Sequence, residues 1–125
     1  MYEIKRVEDK NEQENFCSLC GIEYDADAFC YSAWSEGEFA GVSQFRIIGK
    51  SAHIFDVVLK DGFTDRNCLY LLGKATLNFV DLCHIKTAVF FGKDEELAKT
   101  LLFKKTEEGY TLSLEGYFES ACSGH

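Results

Sequence analysis

The feature that most constrains this chain is a change of hydrophobic period near its middle. Between residues 28 and 60, apolar and polar positions follow the period of two typical of β-strands. This part holds three runs that end at short turns: 29–34, 39–48 and 52–59. After Asp61-Gly62 the period becomes 3.6, which predicts a helix beginning near Thr64 or Asp65. Its predicted inner face consists of Leu69, Leu72, Thr76, Phe79, Val80 and Cys83. The pattern therefore predicts an antiparallel three-strand meander followed at once by a long amphipathic helix.

The third of these runs is apolar on both of its sides. Strict alternation would place Ile54, Asp56 and Val58 on one side of the strand. The other side would then carry His53, Phe55, Val57 and Leu59. Strands of this kind are typical of the middle of a sheet, so we expect a central strand that is covered on both faces.

The flanking segments add further strands and helices. Residues 2–7 alternate like a strand, and Asp9 with Glu12 has the spacing of a capping box for a helix over about 10–20, with Phe16, Leu19 and Cys20 on one face. Residues 86–91 are rich in strand formers and are therefore predicted to form a strand. The long helix between runs 52–59 and 86–91 favours a parallel pairing of these two strands. Asp94 is expected to cap a short helix, and a closing hairpin is expected from 103–105 and 110–114. The fold class is thus α/β (α+β).

Length, charge and hydrophobicity limit the number of domains and the classes of partner that we expect. The 125 residues suit one domain spanning 1–125. A net charge of −8, with no basic run longer than Lys104-Lys105, argues against a nucleic-acid partner. No apolar run approaches the roughly 20 residues of a membrane span, and the charged N-terminus is unlike a signal peptide. We therefore expect a cytoplasmic protein without a membrane partner, in which the six cysteines are thiols.

The order strand, helix, meander, helix, strand, helix, hairpin resembles the GNAT superfamily of N-acetyltransferases. The segments that carry the resemblance are 54–59, 71–79, 85–89 and 101–105. It implies a GNAT-like mixed central sheet, with an antiparallel meander followed by a parallel strand pair and about three flanking helices. It also implies an acetyltransferase (acyltransferase) that moves an acetyl group from acetyl-CoA to a primary amine of a small molecule or peptide.

The resemblance also implies where the co-substrate acetyl-CoA would bind. In the family, backbone amides of the fourth strand hold the thioester arm, and here those residues are Val57, Val58 and Leu59, beside Asp56. The coenzyme pyrophosphate lies on the turn before the long helix, where free amides and the positive helix end attract anions. The matching residues here are Arg66, Asn67, Cys68 and Leu69.

Several residues depart from the family pattern. Thr64, Asn67 and Leu69 stand where that turn typically has Arg or Gln and two small residues, and Asp65 adds a negative charge beside an anion site. Ala98 stands where many members have a general-acid tyrosine, and Leu102 replaces a glycine. An alternative is therefore a GNAT-like binding or interaction module without catalysis.

Three residues are candidates for a general base or a general acid. Asp56 lies among apolar neighbours, where burial would raise its pKa towards working pH and suit a general base, or it could instead point into the cleft or pair with a cation. Tyr110 and Tyr31 could serve as acids or simply pack in strands. The acidic stretch 23–27 could attract the amine or be a solvated loop.

The cysteines leave further alternatives open. Cys17-x-x-Cys20 and Cys122-x-x-His125 together have the composition of a structural zinc site, although we expect no metal because the pairs are far apart in the sequence. Cys68 falls in the proposed coenzyme turn, where a helix N-terminus would lower its pKa. An unpaired edge strand could also support a homodimer.

Overall fold

The computed structural model describes residues 1–118 and forms a single mixed sheet with three helices. Its elements are β1 (Tyr2–Val7), α1 (Lys10–Leu19), β2 (Phe29–Ser35), β3 (Glu38–Ile48), β4 (Ser51–Leu59), α2 (Arg66–Leu82), β5 (Thr87–Phe90), α3 (Glu95–Thr100), β6 (Lys104–Thr106) and β7 (Gly109–Ser113). The strand order is β1-β2-β3-β4-β5-β7-β6. Only β4 and β5 pair in parallel among the described strands. The predicted mixed sheet, with a meander followed by a parallel pair, is confirmed.

The helices begin where the capping residues predict. The Asp9 carboxylate accepts from the backbone N–H groups of Asn11 (2.8 Å) and Glu12 (3.3 Å), and Asp94 accepts from Leu97 N–H at 2.9 Å. Each carboxylate satisfies amides that have no partner inside the helix.

The buried face of α1 differs from the predicted one. Gln13, Phe16 and Cys17 are buried, whereas Leu19 is 43% exposed. Gln13 can occupy the inner face because its Nε2 donates to the Val7 carbonyl at 2.8 Å. A polar side chain with a buried partner thus rotates the helix away from the face that apolar periodicity predicts.

The main core lies between the sheet and α2. Leu72, Thr76, Leu77 and Val80 are fully buried on the inner side of this helix. The buried Thr76 hydroxyl also shares a 2.8 Å hydrogen bond with Ser43 on β3. The predicted inner face of the helix is confirmed except at Cys83, which follows the last turn and is exposed.

The opposite face of the sheet has a smaller core under α1. Its buried members are Val7, Phe16, Cys30, Phe39 and Val42. The rings of Phe16 and Phe39 stack with centroids 4.5 Å apart, which orients α1 across β1 and β3.

A β-bulge interrupts the alternation of β4. Ile54 pairs with Phe45 and Asp56 pairs with Gln44, so Phe55 is an extra residue without a partner on β3. Ile54 and Val57 therefore both join the core under α2, while Asp56 and Val58 turn to the α1 side. The predicted assignment of sides along this strand is wrong from Phe55 onwards.

The central position predicted for β4 is confirmed, but its predicted burial on both faces is not. Ala52, Ile54 and Val57 are buried under α2. His53, Phe55 and Asp56 remain half-buried, because α1 covers only part of the second face. This partly open face is where a ligand can approach the strand.

Leu102 adopts a left-handed backbone conformation, with φ of 74°, directly after α3. A side chain at that φ costs about 1 kcal/mol or more, and Leu102 offsets little of this by burial because it is 63% exposed. We expect Leu102→Gly to raise the free energy of unfolding by about 1 kcal/mol in urea denaturation. Leu82→Gly, at an equally exposed position in the last turn of α2, should lower it. A loss of stability in Leu102→Gly would contradict the expectation.

No helix within residues 1–118 is long and apolar enough to cross a membrane. The five cysteines in the same part of the chain are free thiols, as predicted.

Candidate active site

A cleft opens where β4 and β5 separate. The two strands pair from Ser51 and Thr87 to Ile54 and Phe90, and the Phe91 N–H makes a last hydrogen bond to the Ile54 carbonyl at 2.8 Å. Beyond that point lies a cleft of about 850 Å³. Its walls are residues 55–59 of β4, residues 21–23 after α1, residues 63, 64, 66 and 69 around the start of α2, and residues 91–94.

The bulge sets which backbone groups of β4 face this cleft. The Lys60 N–H donates to the Ala40 carbonyl of β3 at 2.6 Å. Hydrogen-bonded and non-bonded pairs alternate along an antiparallel ladder. Counting back from Lys60, Val58 and Asp56 are therefore the residues whose backbone N–H and C=O groups bond to β3. The backbone groups of Val57 and Leu59 therefore face the cleft, where they form an unpaired edge that an extended molecule can join.

Asp56 lies next to this edge, two residues after the last pair between β4 and β5. Its side chain is half-buried, and its Oδ2 lies 3.4 Å from Nε2 of Gln44. Burial raises the pKa of the Asp56 carboxyl, and the Gln44 hydrogen bond opposes part of that rise. A carboxylate with a raised pKa can accept a proton at nearer-neutral pH than an exposed one, as the sequence suggested.

Gln44 organises this part of the site, and the sequence analysis missed it. The side chain is 1% exposed; its Nε2 donates to the Glu23 carbonyl at 2.8 Å, and its Oε1 accepts from the Asp25 N–H at 2.9 Å. It thereby ties the loop after α1 to the strand pair that carries Asp56. The available signal was an amide in the middle of the mostly apolar run 39–48, a position where a polar group needs buried partners.

A second cavity adjoins the cleft at Asp56 and Phe55. Its volume is about 410 Å³, and its remaining walls are Glu23, Tyr24, Asp25, Ala26 and Gln44. Three carboxylates and one phenol thus surround a space that opens onto the cleft. Burial and the neighbouring carboxylates raise the pKa of Tyr24, so its hydroxyl stays protonated. The acidic stretch predicted between the first helix and the meander therefore lies beside Asp56.

Aromatic side chains cluster beside the cleft, which Phe55 and Phe91 both line. The Phe91 ring lies 6.0 Å from that of Phe55 and 5.3 Å from that of His53, measured between centroids. Phe91 is 51% exposed, so part of this apolar surface is open to a ligand.

The turn before α2 is occupied by the chain's own charges. The Asp65 carboxylate accepts from the Asn67 N–H at 2.9 Å and caps the helix. The Arg66 guanidinium is paired with both oxygens of Asp94, at 2.7 and 3.1 Å, and lies 3.6 Å from Glu96. This pairing holds the pKa of the Asp94 carboxyl below its usual value.

The other two residues proposed for this turn are core residues. Cys68 is 1% exposed and Leu69 is 4% exposed, although Leu69 also borders the cleft. Burial, with a smaller effect of Asp65, raises the pKa of the Cys68 thiol. The predicted lowering of that pKa is wrong, because burial and the Asp65 carboxylate both disfavour the thiolate.

Comparisons with solved structures identify the fold. No protein-family model and no curated protein matches the sequence. The ribosomal-protein-S18-alanine N-acetyltransferase from Escherichia coli matches the structure with a TM-score of 0.70, at 10% identity, over 91% of this chain and 94% of that chain. A mutant form of the spermidine/spermine N-acetyltransferase SpeG from Vibrio cholerae matches with a TM-score of 0.73, at 8% identity, over 97% and 99%. A GNAT family acetyltransferase from Elizabethkingia anophelis with acetyl-CoA bound matches with a TM-score of 0.67, at 13% identity, over 85% and 78%. This chain has the GNAT fold.

Within the GNAT fold, the tyrosines proposed as acids lie outside the cleft. Tyr110, on β7, pairs with Phe90 and packs against the main core, and it is not among the described residues that line the cleft. Tyr31 contacts the rings of Phe45 and Phe79 in the same core. Ala98 is fully buried. The structure does not bring Tyr110 or Tyr31 to Asp56, so Tyr24 is the phenol nearest to that carboxylate along the cavity wall.

The cysteines of α1 are packing residues of this GNAT fold. Burial raises the pKa of Cys17 to about 11, and burial likewise raises that of Cys20 to about 12. Within residues 1–118, no group of three or more His, Cys, Asp or Glu side chains is arranged to hold a metal ion. Cys122 and His125, the other half of the alternative zinc set, lie outside the described residues.

Proposed function

We propose that this chain transfers an acetyl group from acetyl-CoA to a primary amine. The observation that carries the proposal is the junction at Asp56, where the unpaired edge of β4 meets an acidic cavity. One cavity suits an extended thioester arm, the other suits a cation, and the two meet at a carboxylate with a raised pKa. The coenzyme bound by the Elizabethkingia anophelis protein supports acetyl-CoA as the co-substrate.

The reaction needs a base, a donor for the carbonyl oxygen and a path for the leaving group. Asp56 is proposed to take a proton from the ammonium form of the acceptor, so that the amine nitrogen can attack the thioester carbonyl. The backbone N–H of Val57 is proposed to donate to the oxygen that becomes negative. As the carbon–sulfur bond breaks, the thiolate leaves, and Tyr24 is a candidate to donate its phenol proton to it. The phenolate then takes the second proton of the nitrogen as the neutral amide forms, and Asp56 releases its proton to solvent.

The acceptor side supports a cationic substrate. Glu23, Asp25 and Asp56 lie around one cavity, which favours an ammonium group over a neutral or anionic molecule. The Vibrio cholerae protein is an N-acetyltransferase of spermidine and spermine, and the Escherichia coli protein acts on an alanine of ribosomal protein S18. Both names support an amine, either in a small molecule or in a peptide.

The direct test is a transfer assay with purified protein. Acetyl-CoA would be supplied with spermidine, with benzylamine and with a peptide that has an N-terminal alanine, and both thiol release and acetylated product would be measured. Transfer to at least one amine is expected. Absence of thioester binding in calorimetry at millimolar acetyl-CoA would reject the proposal.

Glu23→Gln tests the acidic cavity. Glu23 is exposed and lines both cavities, so its carboxylate should act mainly by attracting the ammonium group. We expect KM for the amine to rise about fivefold at low salt, with a smaller effect at 0.5 M salt because screening weakens the attraction. Glu107→Gln, in the exposed turn between β6 and β7, is the control and should leave KM unchanged. An equal rise in both variants would contradict a local effect.

A second candidate function is a GNAT-fold binding module without catalysis. It is favoured by the Asp65 carboxylate at the helix start and by Ala98 at the position of the family's acidic tyrosine. This function would be favoured over transfer if the protein bound acetyl-CoA but acetylated none of the amines, and if Asp56→Asn bound acetyl-CoA with the same affinity as the wild-type protein.

A further inference from the structure

The two ends of the cleft differ in how well they fit a coenzyme. The thioester end offers the free backbone groups of Val57 and Leu59 beside Asp56. The other end, around the start of α2, is where the pyrophosphate and nucleotide of acetyl-CoA would lie. The fit at this second end decides how much the nucleotide adds to binding, provided that the chain carries out the proposed acetyl transfer.

Asp65 occupies the helix start in the way that a bound anion would. Its carboxylate accepts from the Asn67 N–H, so one of the free amides of the first turn is already satisfied by a negative group. An incoming phosphate would have to approach this carboxylate and compete for the same amide, which carries an electrostatic penalty.

Arg66 is already paired with a carboxylate. Both terminal nitrogens of its guanidinium are directed at Asp94, in the bidentate geometry that makes the strongest such pairs. Asp94 is held in turn because it accepts from the Leu97 N–H and caps α3. To bind a phosphate with the same two nitrogens, Arg66 would therefore have to leave Asp94, which the α3 cap holds in place.

The remaining features of this end do not compensate. Leu69, nearly buried, borders the cleft where the family turn has a small residue that lets backbone approach phosphate. Lys93 is the other cation among the described lining residues, and a single exposed ammonium supplies a point charge without the paired geometry of a guanidinium.

We infer that this protein recognises its donor through the pantetheine arm and the thioester, and that the nucleotide part of the donor contributes little affinity. The donor class is therefore an acyl thioester of pantetheine, whether or not adenosine bisphosphate is attached. Recognition lies along Val57 and Leu59, whose backbone groups are free, and not at the start of α2, where carboxylates are already in place.

The test compares three ligands on the full chain by calorimetry: acetyl-CoA, S-acetylpantetheine and adenosine 3′,5′-bisphosphate. Two or three charge-assisted hydrogen bonds to a pyrophosphate would be worth about 100-fold or more in affinity. We expect the dissociation constants of the two thioesters to differ by less than about tenfold, and the bisphosphate not to compete with S-acetylpantetheine. A larger preference for acetyl-CoA would overturn the inference and leave acetyl transfer standing. Binding of neither thioester would reject both.

A double variant tests the cause. Asp65→Asn with Asp94→Asn removes two negative charges and releases Arg66, and asparagine still caps both helices. The affinity for acetyl-CoA relative to S-acetylpantetheine should then rise by about tenfold. The matched control, Glu107→Gln with Glu108→Gln, removes the same charge from the exposed β6–β7 turn and should leave that ratio within about twofold. An unchanged ratio in the first variant, or an equal rise in the control, would overturn the inference.

Discussion

Replacement of Asp56 by asparagine is expected to lower kcat for acetyl transfer by about 100-fold to 1,000-fold, because a positioned general base contributes rate factors of this size. Asparagine keeps the shape of the side chain and can still bond to Gln44, so the fold and the cleft should persist. Steady-state kinetics with saturating amine and acetyl-CoA would measure the loss, and the thermal transition would show that the variant is folded.

The pH profile gives the same prediction a second readout. Only the ionised Asp56 can accept a proton, so the rate of the wild-type protein should fall as pH drops through the pKa of this carboxyl. Burial raises that pKa, which moves the acidic limb to higher pH than an exposed aspartate would give. Asp56→Asn should lose this limb.

Asp61→Asn is the matched control for Asp56→Asn, since Asp61 is exposed in the turn after β4. It should keep the wild-type rate and the acidic limb. A variant at Asp56 that retained more than half of the wild-type rate would show that another group, or water alone, takes the proton.

Phe45→Ala is expected to lower the free energy of unfolding by about 3–5 kcal/mol. Phe45 is fully buried, and its ring contacts those of Phe29, Tyr31 and Phe79, at centroid distances of 5.6, 6.2 and 5.6 Å. Alanine would leave a cavity between the sheet and α2, beside Ile54, which pairs with residue 45. A loss of this size is a large share of the roughly 5–15 kcal/mol that stabilises a typical domain.

Urea denaturation would measure this loss, with Phe91→Ala as the control. Phe91 is about half exposed at the edge of the cleft, so its removal should cost less than about 1 kcal/mol. Equal losses in the two variants would mean that the core beneath α2 relaxes to fill the space left at Phe45.

Much of the fold followed from local patterns. The turns at Glu36-Gly37 and Gly49-Lys50 separated three strands correctly, and Asp9 and Asp94 marked the starts of two helices that the structure confirms. The parallel pairing of β4 with β5 followed from the long helix between them, because a crossover of that length returns the chain in the same direction. These features depend on neighbours in sequence, so the sequence alone could reveal them.

Other features depended on contacts between distant residues. The bulge at Phe55 arises from the pairing of β4 with β3, and the hydrophobic pattern of residues 52–59 does not predict it. Gln44 contacts the loop after α1 because that loop folds back onto β3, and Arg66 is paired with Asp94, 28 residues later in the chain. Sequence patterns cannot reveal which partner a polar side chain will find across the fold.

The sequence by itself therefore determined the order of the elements, their caps and the presence of carboxylates and aromatic residues near the fourth strand. Only the tertiary structure decided that Asp56 faces an acidic cavity, that Val57 and Leu59 present free backbone groups, and that the start of α2 is filled by the protein's own charges. The physical reason is that local structure depends on periodicity and capping between near neighbours. The site depends on a strand register and on ion pairs that join residues far apart in the chain.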